Sequence, residues 1–346
     1  MQPRSSIQAM AGYVPGEQLN DPSIIKLNTN ENPYPPSPRV FEAIQSTLTS
    51  DKLRKYPEPF GDSFRKAAAK VLNISPESIL IGNGSDDLLT IITRAFVPEG
   101  GLIVAPTPSY VLYQSLAEIQ GGRFKKVPFN SDWQLPKPWP IENAFLTFLP
   151  NPNSPSGTAL RNAEIERIAA EVRTPFVLDE AYGDFAEENG LALVGKVPNL
   201  ILTRSFSKFY ALAGLRFGFA VADPKVIHEL NKVKDSYNCD VLSLAAATAA
   251  IEDQKYYADI RAQIIATRGR LSVALADMGF RVTPSQANFV WCQHPQAPHK
   301  PIYEALKQQK ILIRYMNYAD YGDGLRISIG TNPEIDTLLA ELKKLI

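Results

Sequence analysis

The hydrophobic and polar positions of the chain alternate between a strand-like and a helix-like pattern from about residue 79 to residue 221. Short runs that are apolar almost throughout are typical of parallel strands buried on both faces, and the stretches between them carry apolar residues at helical spacing. The pattern predicts seven strands, at 79–81, 102–105, 123–127, 144–149, 175–179, 200–203 and 217–221, and helices at 86–96, 110–120 and 162–171. We therefore expect an α/β fold with a seven-stranded, mostly parallel sheet between helices.

The pattern differs on either side of this region. The first forty residues are rich in Pro and Asn, which disfavours helix and predicts an extended arm. A helix is expected to begin at Pro38 with Ser37 as its cap, and a second to cover 61–72. A long helix is expected from Pro224 to Asp235, followed by Ala-rich helix up to about Ala276. The tail then holds short predicted strands at 281–283, 288–292, 311–315 and 324–329.

These changes of pattern predict four parts of the chain. They are an N-terminal arm (1–40), a large domain (41–235), connecting helices (236–275) and a smaller α+β domain (276–346). A chain of 346 residues exceeds the usual size of one hydrophobic core, which agrees with two domains of unequal size. We expect the arm to pack on the smaller domain.

Charge and composition limit the class of partner and the compartment. Lys and Arg together number 36, as do Asp and Glu, so the formal net charge is zero. This balance argues against nucleic acid or an anionic membrane as the main partner. The sequence has no apolar run near the ~20 residues of a membrane-spanning helix, and its N-terminus lacks the pattern of a secretory signal. We therefore expect a cytoplasmic enzyme.

The cysteines and histidines predict neither a disulfide framework nor a metal site. Cys239 and Cys292 are far apart and form no C-x-x-C pair. The three histidines lack the spacing of metal ligands. We therefore expect no metal ion in the site.

The segment from Ser205 to Arg216 carries the clearest chemistry. Lys208 lies among apolar neighbours after a predicted strand, where desolvation favours the neutral amine that attacks an aldehyde and holds it as a Schiff base. Ser205, Ser207 and Arg216 offer hydroxyls and a guanidinium to a phosphate. An aldehyde and a phosphate on one small molecule describe pyridoxal 5'-phosphate (PLP). A lysine paired with a nearby carboxylate is the simpler alternative, which these residues alone leave open.

Two further groups follow earlier strands. Gly84, Ser85 and Asp86 open a helix, where free backbone N–H groups and the helix dipole form an anion site. The same residues are equally suited to cap that helix, and they do not match the G-x-G-x-x-G pattern of dinucleotide-binding proteins. Tyr110, after the next strand, is suited to stack on a pyridine ring or to join the core.

The loop 151–157 and the end of the strand 175–179 offer groups for the rest of such a ring. Asn153 and Ser154 lie in a tight loop whose donors suit a phenolic oxygen, although its composition is also that of an ordinary turn. Asp179 ends a buried strand and needs a cationic partner, and a pyridinium N–H would serve. Tyr182 would reach the ring oxygen.

Together these motifs resemble a known family over nearly the whole chain. Three of them resemble motifs of the fold-type I PLP-dependent aminotransferases, in the aspartate aminotransferase superfamily: Asp-x-Ala-Tyr at 179–182, Ser-x-Ser-Lys at 205–208 and Gly-Leu-Arg at 214–216. Three other segments resemble the histidinol-phosphate aminotransferases of histidine biosynthesis: 30–38, 55–57 and 324–330.

The resemblance implies roles for the residues that would hold PLP. Lys208 would form the Schiff base and move the proton. Asp179 would bind the pyridine nitrogen, Tyr182 the ring oxygen, and Tyr110 would stack on the ring. The phosphate would be held by a larger set: Gly84, Ser85, Asp86, Ser205, Ser207 and Arg216.

The resemblance also implies roles in substrate binding and assembly. Tyr56 would reach the cofactor of the partner subunit, which implies a homodimer with shared active sites. Arg326 would bind the α-carboxylate of glutamate or 2-oxoglutarate and the phosphate of the other substrate, with Arg314 as a second phosphate ligand. Tyr13 and Asn30 would close over the substrate.

The loop 151–157 departs from the family pattern. The family usually carries Asn-Pro-Thr-Gly, with that Asn on the ring oxygen, whereas this chain has Ser154-Pro155-Ser156-Gly157. Either the Ser154 hydroxyl holds the oxygen, or the loop shifts to present Asn153. We favour Asn153, because its amide is longer and can donate.

The implied reaction is transamination of L-histidinol phosphate with 2-oxoglutarate, giving imidazole-acetol phosphate and glutamate. An aromatic amino-acid aminotransferase or a threonine-phosphate decarboxylase would use the same cofactor residues, and the sequence leaves both open. A PLP-sensing regulator would need an N-terminal DNA-binding domain where this chain has a proline-rich arm. An α/β protein whose strand-end residues only cap and pair would need several independent coincidences.

Overall fold

The computed structural model describes residues 1–12, 16–19, 21–140 and 143–346. The chain begins with short elements: α1 (Ser5–Ala9), β1 (Ile25–Lys26), α2 (Pro38–Thr47), α3 (Ser50–Leu53) and α4 (Asp62–Leu72). Ser37 caps α2 as predicted, because its hydroxyl oxygen accepts a hydrogen bond from the N–H of Arg39 at 3.2 Å. The helix therefore starts where the prolines of the arm end.

A seven-stranded sheet forms the centre of the protein and confirms the seven predicted strands. They are β2 (Ile79–Gly82), β3 (Leu102–Thr107), β4 (Arg123–Pro128), β5 (Leu146–Pro150), β6 (Phe176–Asp179), β7 (Leu200–Ser205) and β8 (Gly218–Val221). Their order is β2-β8-β7-β6-β5-β3-β4. β8 runs antiparallel to both neighbours, and the other pairs are parallel. The ends of β2, β3, β5, β6 and β7 and the start of β8 therefore lie at one edge.

Both faces of this sheet are buried along β2, β5, β6, β7 and β8, as their apolar sequences predicted, whereas the edge strand β4 is mostly exposed. Adjacent residues of β6 join different cores: Val177 packs in one cluster, whereas Phe176 and Leu178 pack in the other. Such alternation follows from the two-residue repeat of a strand. The covering helices include α5 (Ser85–Phe96), α6 (Leu112–Gln120), α7 (Asn162–Val172), α8 (Pro224–Asn231), α9 (Val241–Glu252) and the long α10 (Gln254–Asp277).

The C-terminal part forms a smaller sheet with its own helices. Its elements are β9 (Arg281–Val282), β10 (Phe289–Gln293), α11 (His299–Gln308), β11 (Ile311–Leu312), β12 (Arg314–Tyr318), β13 (Gly322–Ser328) and α12 (Asn332–Leu342). β12, β13, β10 and β9 form an antiparallel sheet in that order. β1 of the arm pairs in parallel with β11, with Ile25 opposite Ile311. The arm is thereby attached to the C-terminal part.

Two predicted elements differ from the structure. The strand expected at 311–315 is two strands, because β11 pairs with the arm while β12 pairs with β13. The helix expected from Pro224 to Asp235 ends at Asn231. Within the described part of the chain, no helix has the length and apolar character needed to span a membrane.

Candidate active site

A cavity of about 930 Å³ opens at the edge where β3, β5, β6 and β7 end, and the arm and the smaller sheet complete its wall. It brings together most of the predicted site residues: Asn30, Ser85, Asp86, Tyr110, Ser154, Asp179, Tyr182, Ser205, Ser207, Lys208, Arg216, Arg314 and Arg326. Gly84, Asn153 and Tyr56 do not line it. Tyr13 lies outside the described residues.

Lys208 follows β7 and presents its amine to the cavity. Its Nζ donates a hydrogen bond to the carbonyl oxygen of Thr29 in the arm, at 2.8 Å. Burial, together with the charge of Arg326, lowers the pKa of this amine to about 8, and the charge of Glu31 opposes the change. Above about pH 8 most of the amine is therefore neutral and nucleophilic.

Asp179 ends β6 with its side chain buried, at 6% exposure. Its Oδ2 accepts a hydrogen bond from the Tyr113 hydroxyl at 2.7 Å, and its Oδ1 accepts from the N–H of Ala181 at 3.2 Å and from the hydroxyl of Thr203 at 3.3 Å. Burial raises the pKa of this carboxyl to about 6, against the opposing effect of the Tyr113 hydrogen bond. The carboxylate would be stabilised by a cation in the cavity.

Tyr113 is a site residue that sequence reasoning missed. It is fully buried on α6 and stacks on Phe148, with ring centroids 4.7 Å apart. It stands three positions after Tyr110 within the helix predicted at 110–120, and residues three apart on a helix lie on one side of it. This spacing was the available signal for a second tyrosine in the site.

Tyr182 and Asn30 meet at the junction of the arm and the large sheet. The side-chain amide of Asn30 donates a hydrogen bond to the Tyr182 hydroxyl oxygen at 2.9 Å. The Tyr182 ring packs edge-on against Phe289 of β10, with centroids 5.0 Å apart. The arm, the large sheet and the smaller sheet therefore all contribute to the position of this hydroxyl.

The start of α5, where the sequence predicts an anion site, lies next to Arg216. The Arg216 guanidinium contacts the Ser207 hydroxyl at 3.2 Å and the Asp86 carboxylate at 3.4 Å. Gly84 has φ +83°, and a Cβ there would lie 2.7 Å from Nη2 of Arg216. Gly84 thus lets the guanidinium approach the helix start, although it does not itself line the cavity.

Tyr110 lies just before α6 and next to the start of α5. Its hydroxyl donates to the Asp86 carboxylate at 3.1 Å, and its ring meets Tyr113 edge-on with centroids 5.7 Å apart. Its side chain lines the cavity. A flat ligand at the ends of β3 and β6 would meet an aromatic ring here.

The loop after β5 places Ser154, not Asn153, against the cavity. Asn153 is buried at 1% exposure, and its amide donates to the carbonyl of Pro108 at 3.2 Å and to the hydroxyl of Ser156 at 3.0 Å. The preference for Asn153 therefore requires correction. The Asn153 amide is held inside the protein by these two bonds, and the hydroxyl of Ser154 remains at the surface of the cavity.

Arg314 and Arg326 face each other across β12 and β13. Directly opposed residues lie on the same face of a sheet as close neighbours, so both guanidiniums reach the cavity. Arg326 donates to the hydroxyl of Ser154 at 3.0 Å and to the carbonyl of Asn28 at 2.9 Å. The pair gives this wall a strong positive charge, suited to phosphate or carboxylate.

Tyr56 lies outside the cavity, at 81% exposure, in the segment after α3. Its ring stacks on Tyr237 with centroids 4.4 Å apart and planes inclined by 13°. The pair is exposed together, since Tyr237 is itself 45% exposed.

A buried ion pair supports the strand ends and was also missed. Arg204 of β7 and Glu180, which follows β6, are 3% and 0% exposed and lie 2.7 Å apart. Arg204 also bonds the Asp184 carboxylate, and Glu180 accepts from the N–H of Gly190 at 2.5 Å. Their neighbours in the sequence are site residues, but only the pairing of β6 with β7 brings the two charges together.

Comparisons with known proteins agree with this geometry. Residues 22–342 match the family described as aminotransferase class I and II. Histidinol-phosphate aminotransferase from Rhodopirellula baltica is 52% identical, over 99% of this chain and 96% of that protein. Histidinol-phosphate aminotransferase 1 from Trichormus variabilis is 44% identical, over 99% of this chain and 98% of that protein.

A solved structure shows the same fold. The histidinol-phosphate aminotransferase from Sinorhizobium meliloti, in complex with pyridoxal-5'-phosphate, superposes with a TM-score of 0.87 at 28% identity, over 99% of this chain and 97% of that one. The family resemblance of the motifs around Asp179, Lys208 and Arg216 is thereby confirmed. The chain belongs to the class I and II aminotransferase family, among the relatives named histidinol-phosphate aminotransferase.

Proposed function

We propose that the protein is a PLP-dependent histidinol-phosphate aminotransferase. It transfers the amino group of L-histidinol phosphate to 2-oxoglutarate, giving imidazole-acetol phosphate and glutamate, as a step of histidine biosynthesis. The observation that carries this proposal is the opposed pair Arg314 and Arg326 in the same cavity as Lys208. Two guanidiniums near a nucleophilic amine suit one substrate with an amine and a phosphate and another with two carboxylates.

The residues of the cavity fit PLP. The cofactor carries an aldehyde, a phosphate and a pyridine nitrogen, and the cavity offers a matching group for each. Lys208 has a lowered pKa, the start of α5 with Arg216 favours an anion, and the buried Asp179 has a raised pKa that a pyridinium would lower again.

PLP, when bound, supplies an electron sink for negative charge at the α-carbon of the amino substrate. Asp179 would keep a proton on the pyridine nitrogen, and Tyr110 would orient the ring. Tyr182 and Ser154 would hold the ring oxygen, and Ser85, Asp86, Ser205, Ser207 and Arg216 would hold the phosphate, the first two through backbone N–H groups of α5. We assign the ring-oxygen role to Ser154 because it lines the cavity and Asn153 does not.

Lys208 has two tasks in this site. Its Nζ would hold the aldehyde carbon of the cofactor, and as a neutral amine it would accept the proton from the substrate α-carbon. Arg326, fixed by its bonds to Ser154 and Asn28, orients the carboxylate of glutamate or the phosphate of the other substrate, and Arg314 adds a second donor for the phosphate.

The proposed assembly is a homodimer in which Tyr56 reaches the cofactor of the partner subunit. Support comes from exposed apolar side chains on α2, α3, the segment after α3 and the Tyr237 loop: Phe41, Leu48, Leu53, Tyr56, Phe60 and Tyr237. Exposed apolar side chains of this kind would be buried by contact with a second copy of the chain. Sedimentation analysis should show a dimer for the wild type and a monomer for Leu53→Glu, and a monomeric wild type would contradict the proposal.

The proposed location is the cytoplasm. Cys239 and Cys292 are both free and buried, as expected for a protein of a reducing compartment.

The visible spectrum of the purified protein tests the reaction directly. With PLP bound, addition of histidinol phosphate should convert the visible band to that of the aminated cofactor, and 2-oxoglutarate should restore it. If threonine phosphate releases carbon dioxide while histidinol phosphate leaves the band unchanged, the protein is a decarboxylase. Turnover of aromatic amino acids alone would favour the aromatic aminotransferase, and absence of any band with added PLP would refute the cofactor assignment.

A further inference from the structure

Asn30 occupies an unusual position in the cavity wall. It is 1% exposed and has φ +56°, in the left-handed region that Asn tolerates better than most residues. Its backbone N–H donates to the Ser328 hydroxyl oxygen at 2.8 Å, and its carbonyl accepts from the side-chain amide of Asn288 at 3.0 Å. Its own side chain bonds Ser328 on one side and Tyr182 on the other. The residue is held by groups from the smaller sheet.

The direction of these hydrogen bonds follows from the backbone group. A backbone N–H can only donate, so the Ser328 oxygen accepts from it, and the Ser328 hydrogen is directed to Oδ1 of Asn30 at 2.9 Å. With Oδ1 as the acceptor, the amide nitrogen of Asn30 faces Tyr182 and donates to its hydroxyl oxygen at 2.9 Å. The hydrogen of the Tyr182 hydroxyl must therefore point away from Asn30.

We propose that Asn30 is a positioning residue that directs the hydroxyl hydrogen of Tyr182 into the cavity, toward the ring oxygen of the cofactor. A phenol hydrogen lies in the ring plane in one of two orientations, and the amide donor of Asn30 excludes the one that faces it. The inference rests on the proposed function, because it needs a ligand with an anionic ring oxygen in the cavity. It also gives Asn30 a task distinct from closing over the substrate.

The energetic consequence is stabilisation of charge on that ring oxygen. A donor fixed toward an anion stabilises it more than a hydroxyl that is free to turn, because no reorientation is needed. The deprotonated form of the bound cofactor carries more negative charge on the ring oxygen than the protonated form. Loss of the oriented donor therefore raises the pH at which the visible band of the bound cofactor changes.

Asn30→Asp separates orientation from shape. The two side chains have the same size, and aspartate still accepts from Ser328, but its second oxygen can only accept, so the Tyr182 hydrogen would turn toward it. We expect the pH midpoint of the visible absorbance of the holoenzyme to rise by about one pH unit, the value of a hydrogen bond to a charged group. The dissociation constant of PLP should rise about tenfold or more, by the same reasoning. Asn73→Asp is the matched control, because Asn73 also has positive φ (54°) but is exposed at the end of α4, and its midpoint should equal that of the wild type.

The carboxylate introduced by Asn30→Asp would itself raise the midpoint, so the test is made in two backgrounds. If orientation matters, Asn30→Asp shifts the midpoint clearly less in Tyr182→Phe than in the wild type, because no hydroxyl hydrogen remains to be turned. Equal shifts in the two backgrounds, or no shift in either, would overturn the inference. Asn30→Gly, which keeps the positive φ without cost, serves as the second variant and should raise the midpoint only where Tyr182 is present.

Failure of the proposed function gives a different result. If the wild type shows no visible band with PLP, the function is wrong and this inference falls with it. If the band and transamination are intact but the shifts of Asn30→Asp and Tyr182→Phe simply add, only the role of Asn30 is wrong.

Discussion

Replacement of Asp179 by Asn should make the cofactor-free protein more stable at pH 8 while it weakens PLP binding. Burial raises the pKa of Asp179 from 3.8 to about 6, so between these values the folded protein holds a proton that the unfolded chain has released. Stability from this group is therefore present at low pH and is lost as the pH rises to about 6. The pKa of Asp179 is thus raised by about two units, and each unit corresponds to about 1.36 kcal/mol. Above pH 6 the ionised carboxyl therefore destabilises the folded protein by ~3 kcal/mol.

The asparagine side chain removes this cost because it has no charge to desolvate, and its oxygen can still accept from Ala181 and Thr203. Urea unfolding of the cofactor-free proteins at pH 8 should give Asp179→Asn a higher free energy of unfolding, by up to about 3 kcal/mol. With PLP added, the order should reverse, because only the carboxylate stabilises a pyridinium. Asp259→Asn, at an exposed position of α10, is the matched control and should change neither value.

Equal or lower stability of the cofactor-free Asp179→Asn at pH 8 would refute the reasoning. It would mean that Tyr113, Thr203 and the backbone N–H of Ala181 already compensate the buried charge fully. A gain that is the same at pH 4 and pH 8 would also contradict it, since the penalty develops only as the carboxyl ionises.

Three other predictions follow from the site. Lys208→Ala should abolish the visible band of the covalently bound cofactor. In the wild type, the rate of PLP binding measured by stopped-flow absorbance should rise with pH and level off above about pH 8, because the neutral amine is the nucleophile. Arg204→Met should lower the free energy of unfolding by about 3–5 kcal/mol in urea titration, because it leaves the buried Glu180 unpaired, and a change below about 1 kcal/mol would contradict the importance of this pair. Arg314→Lys should raise the KM for histidinol phosphate with little effect on the KM for glutamate. Arg326→Lys should raise both KM values about tenfold or more. If the two variants behave alike in steady-state kinetics, the separate roles of the two arginines are disproved.

The central sheet could be predicted because most of its strands are apolar on both faces, a pattern that depends on local sequence alone; the edge strand β4, with Lys125 and Lys126 exposed, is the exception. The strand β1 could not, because two residues at Ile25 carry no periodicity and pair only with a partner near the other end of the chain. The division of 311–315 into β11 and β12 could not be predicted for the same reason. Pairing between distant segments decides both, and a single sequence gives no signal for it.

The cavity could be predicted as far as its residues follow strand ends in order along the chain. Lys208, Asp179 and Tyr110 were found in this way, and the cavity contains them. Tyr113 was assigned no role, because a tyrosine inside an amphipathic helix is usually a core residue. The choice between Asn153 and Ser154 depended on which of the two side chains faces the cavity. The backbone geometry of the loop decides this, and the composition of the loop does not.

The reversed direction of β8 has a consequence for how the site tolerates change. Because β7 and β8 are antiparallel neighbours, with Ser205 opposite Gly218, the connection between them starts and ends at the same edge of the sheet. Lys208 and Arg216 are thus carried by one connection, residues 206–217, with both ends anchored in the sheet, and a parallel β8 would have placed Arg216 at the far edge, about 13 Å away for a strand of this length. Insertions between Lys208 and Arg216, of a length that surface loops would accept, would move apart the two residues that we propose hold the aldehyde and the phosphate of the cofactor. We therefore expect the length of this loop to be restricted.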